Sequence, residues 1–334
     1  MTLSPLFPDV DWQPIIDAIA SADCIVLITH CNPDGDGIGS QQALYDALIG
    51  MGKSVSMHNL DGVPRIYRFF KYADQVERGA WLAETQAADL IISLDCGAKG
   101  RLGMGDAFYA ETPLINIDHH ASNNHFGDLN VVDARYCATG AMMFDLLIAM
   151  QIPLNKTSAS AIYAAVLTDT ASFRLSNATA AVYRMAADLI DAGAEPWPIC
   201  VNIYESVPLA GLKILTACLD TLKLRDDQHS AWLHVTREMF QSTGANVEDV
   251  EGLIDYARSI DGVEVAVFIR FDEKGDASDK RWKVSFRGKT TADVGAVAAS
   301  LGGGGHKHAA GCLMHGSFDD VRARVQQAVS SILG

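Results

Sequence analysis

Acidic and histidine side chains gather in four short segments of this chain. They are His30-Cys31-Asn32-Pro33-Asp34-Gly35-Asp36, Asp95, Asp118-His119-His120, and Asp169 within Leu167–Thr170. Each follows a strand-like apolar run or closes a helical pattern. In open parallel sheets the carboxyl ends of the strands line the ligand crevice, so residues far apart in sequence can meet there. Five carboxylates and two or three histidines in one crevice would repel intolerably without cations. Imidazole and carboxylate ligands without thiolate suit a hard-to-borderline divalent ion, Mn²⁺ or Mg²⁺ ahead of a structural zinc. The ligand number exceeds the need of one ion with open positions and suits two ions sharing a bridging carboxylate. Such a pair activates a water for in-line attack on phosphorus.

Taken singly, the segments are less specific. Pro33, Gly35 and Gly37 argue against a regular helix, so a tight loop is expected to carry His30, Asp34 and Asp36, with Ser40 capping the helix beyond. A solvated Asp-Gly turn would look the same. His119-His120 could be a surface loop, Asp169 a helix cap, and Asp95 an ordinary strand end. Gly302–Gly305 ahead of His306 and Lys307 offers unshielded backbone amides to an anion, or else a flexible hinge. Arg287 could fork onto a phosphate or sit solvated at a strand end.

The positioning elements follow from periodicity. Cys24–Thr29 is a continuous apolar run, as in a strand buried on both faces. Val55–Met57, Asp89–Leu94, Leu114–Ile117 and Leu129–Val132 read as further strands. Helical patterns span Ser40–Met51, Thr139–Met150, Ala159–Leu167 and Thr179–Ala192. Strands alternating with helices imply a doubly wound, mostly parallel α/β sheet. Gly193–Pro208, with three prolines, reads as a hinge. Beyond it, a helix at Leu209–Leu222, strands at Ala231–Val235, Val263–Phe271 and Trp282–Arg287, and helices at Val247–Ser259, Asp293–Leu301 and from Asp319 make a smaller α/β domain. The expected division is 1–192, a connecting region 193–222, and 223–334.

Composition narrows the partners. The 334 residues carry 26 basic and 41 acidic side chains, a formal charge of −15. That balance argues against a broad footprint on duplex nucleic acid but permits a small phosphorylated ligand held by local cations. No apolar run approaches the ~18 residues that span a bilayer. Seven scattered cysteines without a CxxC pair, and no basic segment leading into an apolar one, point to a reducing, cytoplasmic setting away from membranes. The sequons at Asn155 and Asn177 are then chance matches. Cys31, Cys96 and Cys137 are expected to pack rather than react. The five tryptophans have no helical spacing and are assigned to core or interdomain packing.

With these residues in order, the chain resembles the DHH phosphoesterase superfamily. The resemblance rests on THCNPDGDGIGS (29–40), SLDCG (93–97), NIDHHASN (116–123) and LTDTASFRLSNAT (167–179), with VSFRG (284–288) and GGGGHKHAAGC (302–312) resembling the associated DHHA1 domain. It covers nearly the whole chain and is nearest the two-domain nanoRNase/pAp-phosphatase branch. It implies that His30 and Asp34 bind a first metal and Asp36 a second, with Asp95 bridging both. His119 and Asp169 would complete the second site, His120 would contact the scissile phosphate, and Asp118 would orient the histidines. Arg287, Gly303, Gly304, Gly305 and His306 would grip the substrate's phosphate and terminal nucleotide. Gly97-Ala98-Lys99 departs from the polar or acidic residue frequent in the branch, while Arg101 matches its basic residue. The implied activity is two-metal hydrolysis of very short single-stranded oligonucleotides to mononucleotides, with 3′-phosphate removal from pAp. Cyclic or linear dinucleotides, and a non-catalytic nucleotide-binding module, remain alternatives. A pyrophosphatase fits less well, for want of a basic C-terminal motif. Oligomeric state, including a homodimer, is left open.

Overall fold

The computed structural model describes residues 3–79, 88–103, 112–225, 228–272 and 280–333. It divides into two compact units, Met1–Ser206 and Val207–Gly334.

The first unit runs α1 (Gln13–Ser21), β1 (Cys24–Thr29), α2 (Gly35–Gly50), β2 (Ser54–Asn59), β3 (Val76–Arg78), β4 (Leu90–Leu94), β5 (Leu114–Asp118), β6 (Leu129–Val132), α3 (Thr139–Ala149), α4 (Lys156–Asp169), α5 (Ala180–Asp191) and α6 (Pro196–Tyr204). Its six strands pair in parallel in the order β3-β2-β1-β4-β5-β6. The order reverses between β1 and β4, which opens a crevice at their carboxyl ends. Strands β1, β4 and β5 are buried almost throughout, as the unbroken apolar runs of a sheet covered on both faces require.

Several expectations change. Helix α2 starts at Gly35, not after Ser40; Asp34 is its cap, accepting from the Asp36 and Gly37 amides at 3.1 Å each. The glycines serve close approach instead of a loop. A Cβ on Gly35 would lie 2.4 Å from Thr168 Oγ1 on α4, one on Gly37 2.3 Å from Thr29 Oγ1, and one on Gly39 2.5 Å from the Ala161 carbonyl. Asn155, read as a chance sequon, caps α4 through the amides of Thr157 and Ser158. The proline-rich stretch contains α6, whose Ile199 and Ile203 lie in the first core. The contact boundary falls at Ser206, inside the expected connecting region 193–222.

The second unit runs α7 (Leu209–Leu219), β7 (Lys223–Arg225), β8 (Ser230–Val235), α8 (Arg237–Thr243), α9 (Ile254–Ser259), β9 (Val265–Phe271), β10 (Arg281–Gly288), α10 (Val294–Ser300), β11 (Gly304–His306), β12 (Ala309–His315) and α11 (Phe318–Leu333). Its mixed sheet has the order β11-β12-β10-β9-β8-β7. The pattern expected to be helical from Val247 to Ser259 is a 3₁₀ turn followed by α9, separated by Gly252 at φ +77°. Helices α10 and α11 bury one face against Val284 and Phe286. Trp12, Trp232 and Trp282 are buried, whereas Trp197 is 68% exposed instead of packed. Trp81 lies outside the described residues.

Candidate metal centre

The parallel register sets His30, Asp95 and the Asp118-His119-His120 segment at one level. Thr29 pairs with Leu94 and Leu94 with Ile117, so the three chains leave the sheet side by side. Asp36 and Asp169 arrive from the first turn of α2 and the last residue of α4.

Six of these side chains form two groups around a shared carboxylate. His30 Nε2 stands 3.7 Å from Asp34 Oδ2 and 3.4 Å from Asp95 Oδ2. His119 Nε2 stands 3.5 Å from Asp36 Oδ2, 3.3 Å from Asp169 Oδ2 and 3.7 Å from the other Asp95 oxygen, Oδ1. These gaps are long for charge-assisted hydrogen bonds, which run about 2.7–2.9 Å. Bonds of 2.0–2.1 Å meeting at right angles would hold neighbouring ligand atoms about 3 Å apart, so the spacing is that of atoms arranged around a cation.

The second ring nitrogens agree. His30 Nδ1 is 2.9 Å from the Cys31 carbonyl and His119 Nδ1 is 3.4 Å from the Tyr136 carbonyl. Carbonyls only accept, so each Nδ1 carries a proton and each Nε2 faces inward, where a metal-ligating imidazole would present its lone pair. His120 is different: its Nδ1 meets Asp118 Oδ1 at 2.7 Å, leaving Nε2 available outside the two groups. Asp118 thus orients His120 alone, not both histidines, because the Tyr136 carbonyl holds His119.

Electrostatics point the same way. Asp95 is 1% exposed. Burial, then the charges of Asp36 and Asp34, push its carboxyl well above the ordinary range. Burial also raises Asp36. Burial with the charges of Asp36 and Asp34 lifts Asp169 to about 8. Burial opposes protonation of His30, yet the hydrogen bonds and charges of Asp34 and Asp95 outweigh it and lift its pKa to about 10. Protons here do the neutralising that a divalent ion would do better. Asp36 is also held by α3, accepting from the Thr139 and Gly140 amides at 2.6 and 2.7 Å. Asp95 takes a left-handed backbone, φ +56°, with its amide on the Ile117 carbonyl at 3.0 Å. Such strain collects at functional sites.

Sequence reasoning missed the supporting shell. Asn123 joins the Asp118 and Asn116 side chains to the Cys96 carbonyl, at 2.6, 2.7 and 3.1 Å. It stands in the quoted NIDHHASN segment but was given no role. Tyr67, buried on a 3₁₀ turn, lies close enough to Asp34 and Asp169 to feel their charges, and only the tertiary fold brings it there. Arg101 lies beside the centre as expected, its Nη2 3.3 Å from His30 Nδ1. Cys96 and Cys137 are buried and their thiols are pushed up to about 12 by that burial, so they pack.

In the second unit, Arg287 lies on β10, and its Nη1 donates to the Phe286 carbonyl at 3.1 Å. The glycines have a structural explanation. The Gly302 and Gly303 amides donate to Ala299 and Ala298 in the last turn of α10. A Cβ on Gly303 would lie 2.2 Å from the Gly311 carbonyl, and one on Gly305 2.5 Å from Ala310 Cα. Gly304 and Gly305 pair with Gly311 and Ala310 of β12. The His306 backbone closes β11; its side chain lies outside what the structure describes.

Comparison with known proteins agrees with the fold. Residues 24–166 match the DHH family, N-terminal domain, and residues 233–331 the DHHA1 domain. The chain belongs to the DHH phosphoesterase family and is a hydrolase. It is 32% identical to the bifunctional oligoribonuclease and PAP phosphatase NrnA of Thermus thermophilus, over 91% of this chain and 89% of that protein. The protein of the same name from Bacillus subtilis is 26% identical over 92% and 94% of the two chains. The crystal structure of an exopolyphosphatase-related protein from Bacteroides fragilis has the same fold, with a TM-score of 0.88 at 24% identity, covering 99% and 98% of the two chains.

Proposed function

We propose that this enzyme hydrolyses the phosphoester bonds of very short single-stranded oligonucleotides, releasing mononucleotides, and removes the 3′-phosphate of pAp in a cytoplasmic setting. The carrying observation is Asp95, whose two oxygens face separate His/Asp groups. His30, Asp34 and Asp95 would hold one divalent ion, and Asp36, His119, Asp169 and Asp95 the other, with Mn²⁺ favoured over Mg²⁺ by the imidazoles. Bound ions would supply a water acidified toward neutrality and positive charge against the phosphoryl oxygens.

The chain's own residues supply the rest. His120, its ring fixed by Asp118, presents Nε2 to a phosphoryl oxygen. The Asn123 network keeps Asp118 in place, and the backbone hold on Asp36 keeps the second ligand group ordered. Arg287, on the second unit, is the cation assigned to a further phosphate of the substrate, with His306 and the glycine strand against the terminal nucleotide. The names of the two NrnA relatives support this substrate class.

Degradation with Mn²⁺ of RNA ladders from two to twenty-four nucleotides, with pAp alongside, tests the reading. Two- to five-residue oligomers are expected to disappear at least tenfold faster than the longest. Equal rates across the ladder would remove the short-substrate claim, and turnover of pAp alone would leave only the phosphatase half.

A further inference from the structure

Residues 3–12, ahead of α1, form no helix or strand, yet they are fastened to the first unit at several points. Leu3, Leu6, Phe7 and Val10 pack against the first core, and Trp12 lies within it. The polar hold is a buried carboxylate. Asp145, on α3 and 1% exposed, accepts from the Leu6 amide at 2.7 Å and the Phe7 amide at 3.0 Å. The Tyr136 hydroxyl donates to the same carboxylate at 2.7 Å. A charge buried this far is tolerable only when hydrogen-bonded, so the segment and Asp145 depend on each other. Tyr136 also meets Phe7 edge-on, with ring centres 4.6 Å apart. Beside it, the Arg135 guanidinium lies 4.6 Å over the Phe7 ring and pairs with Asp9 at 2.9 Å.

The stretch clamped in this way, residues 133–140 between β6 and α3, reaches into the metal centre. The Tyr136 carbonyl accepts from His119 Nδ1. The Thr139 and Gly140 amides hold Asp36, and the Thr139 hydroxyl donates to Asp95 Oδ1 at 3.3 Å. Asn177 links the stretch to Asp169, its Nδ2 standing 3.2 Å from the Cys137 carbonyl and 3.4 Å from the Asp169 carbonyl. Asp36, His119, Asp169 and the Oδ1 side of Asp95 are thus all tied to residues 133–140. The first group has other supports: His30 Nδ1 rests on the Cys31 carbonyl, and Asp34 takes amides of α2.

We infer that Asp145 and Tyr136 are positioning residues for one half of the metal centre. With the segment ahead of α1 bound to them, they fix residues 133–140 and so the second ligand group, while the His30 and Asp34 group stands independently. Tyr136 is the lever, because its hydroxyl end is tied to Asp145 and its carbonyl to His119 through one shared Cα. The inference rests on the reading that each ligand group holds a divalent ion.

Calorimetric titration of Mn²⁺ into two single-site backgrounds tests this. His30→Ala keeps the second ligand group whole, and His119→Ala keeps the first. Adding Tyr136→Phe or Asp145→Asn is expected to weaken Mn²⁺ binding about tenfold in the His30→Ala chain and to leave it within about twofold in the His119→Ala chain. Ile199→Val trims the same core on α6. It should lower the melting temperature and leave both affinities alone. In an otherwise wild-type chain at limiting Mn²⁺, Tyr136→Phe should retain about one ion by elemental analysis where wild type retains two, a readout that holds even if the single-site chains bind weakly. Equal weakening in both backgrounds, none in either, or the same selective loss in Ile199→Val would overturn the positioning role and leave the two-ion reading standing. Failure of wild type to bind Mn²⁺ would instead remove that reading, and the positioning role with it.

Discussion

At Asp95 three unfavourable features coincide: a left-handed backbone at φ +56°, burial to 1% exposure, and the charges of Asp36 and Asp34. A residue selected for stability alone would have none of them, so Asp95→Asn should separate function from stability. Turnover is expected to fall about 10³-fold, and bound Mn²⁺ by elemental analysis should drop from two ions per chain. The metal-free variant should melt above metal-free wild type, because a buried repulsion is gone. A lower melting temperature would contradict this account. Asn123 acts one step removed, through Asp118 and His120. Asn123→Ala should lower kcat by about 10- to 100-fold, with little change in KM for a dinucleotide.

Helix α2 brings two ligands to the centre only because it packs unusually close to α4 and β1. Gly39→Ala would drive a Cβ to 2.5 Å from the Ala161 carbonyl, a backbone atom that cannot step aside cheaply. The expected cost is about 1–3 kcal/mol in urea denaturation. Gly50, the last residue of the same helix, faces open space. Gly50→Ala should instead stabilise by about 0.4–1 kcal/mol. Opposite signs from two glycines on one helix would separate packing from propensity. Asn155→Ala, which removes the cap of α4, should cost about 1 kcal/mol.

For the whole molecule, the metal centre ties together β1, β4, β5, α2 and α4, so ligand protonation becomes a property of the fold. Asp169 has its carboxyl raised to about 8, and Asp95 and Asp36 are raised in the same direction. A raised carboxyl binds its proton more tightly folded than unfolded. The contribution of these three carboxyls to metal-free stability is therefore present below about pH 4 and is lost as pH rises through about 8. Bound ions replace those protons and reverse the trend, since metal affinity grows as the ligands deprotonate. Thermal melts with and without Mn²⁺ should show a gap that widens from pH 6 to pH 8. A constant gap would mean that these carboxylates do not titrate on metal binding. Among the described residues no single helix is long and apolar enough to cross a membrane.

The chain order of apolar runs and charged segments already pointed to the alternating α/β plan and to the acidic and histidine side chains His30, Asp34, Asp36, Asp95, His119 and Asp169, which the fold brings together. These signals are local, because a buried parallel strand must be apolar throughout and a site residue stands where it ends. The tertiary structure decided what depends on a distant neighbour. Gly35 and Gly37 looked like helix breakers because propensity describes an isolated segment, whereas Thr168 and Thr29 leave no room there for a Cβ. Ser40 looked like a cap because Asp34 could not be seen to serve both α2, through one oxygen, and His30, through the other. Tyr67 gave no sequence signal of its own, and Asn123 stood within a quoted segment while its partners could not be seen. Their roles arise from surroundings assembled by folding, where burial and pairing turn an ordinary side chain into part of a site.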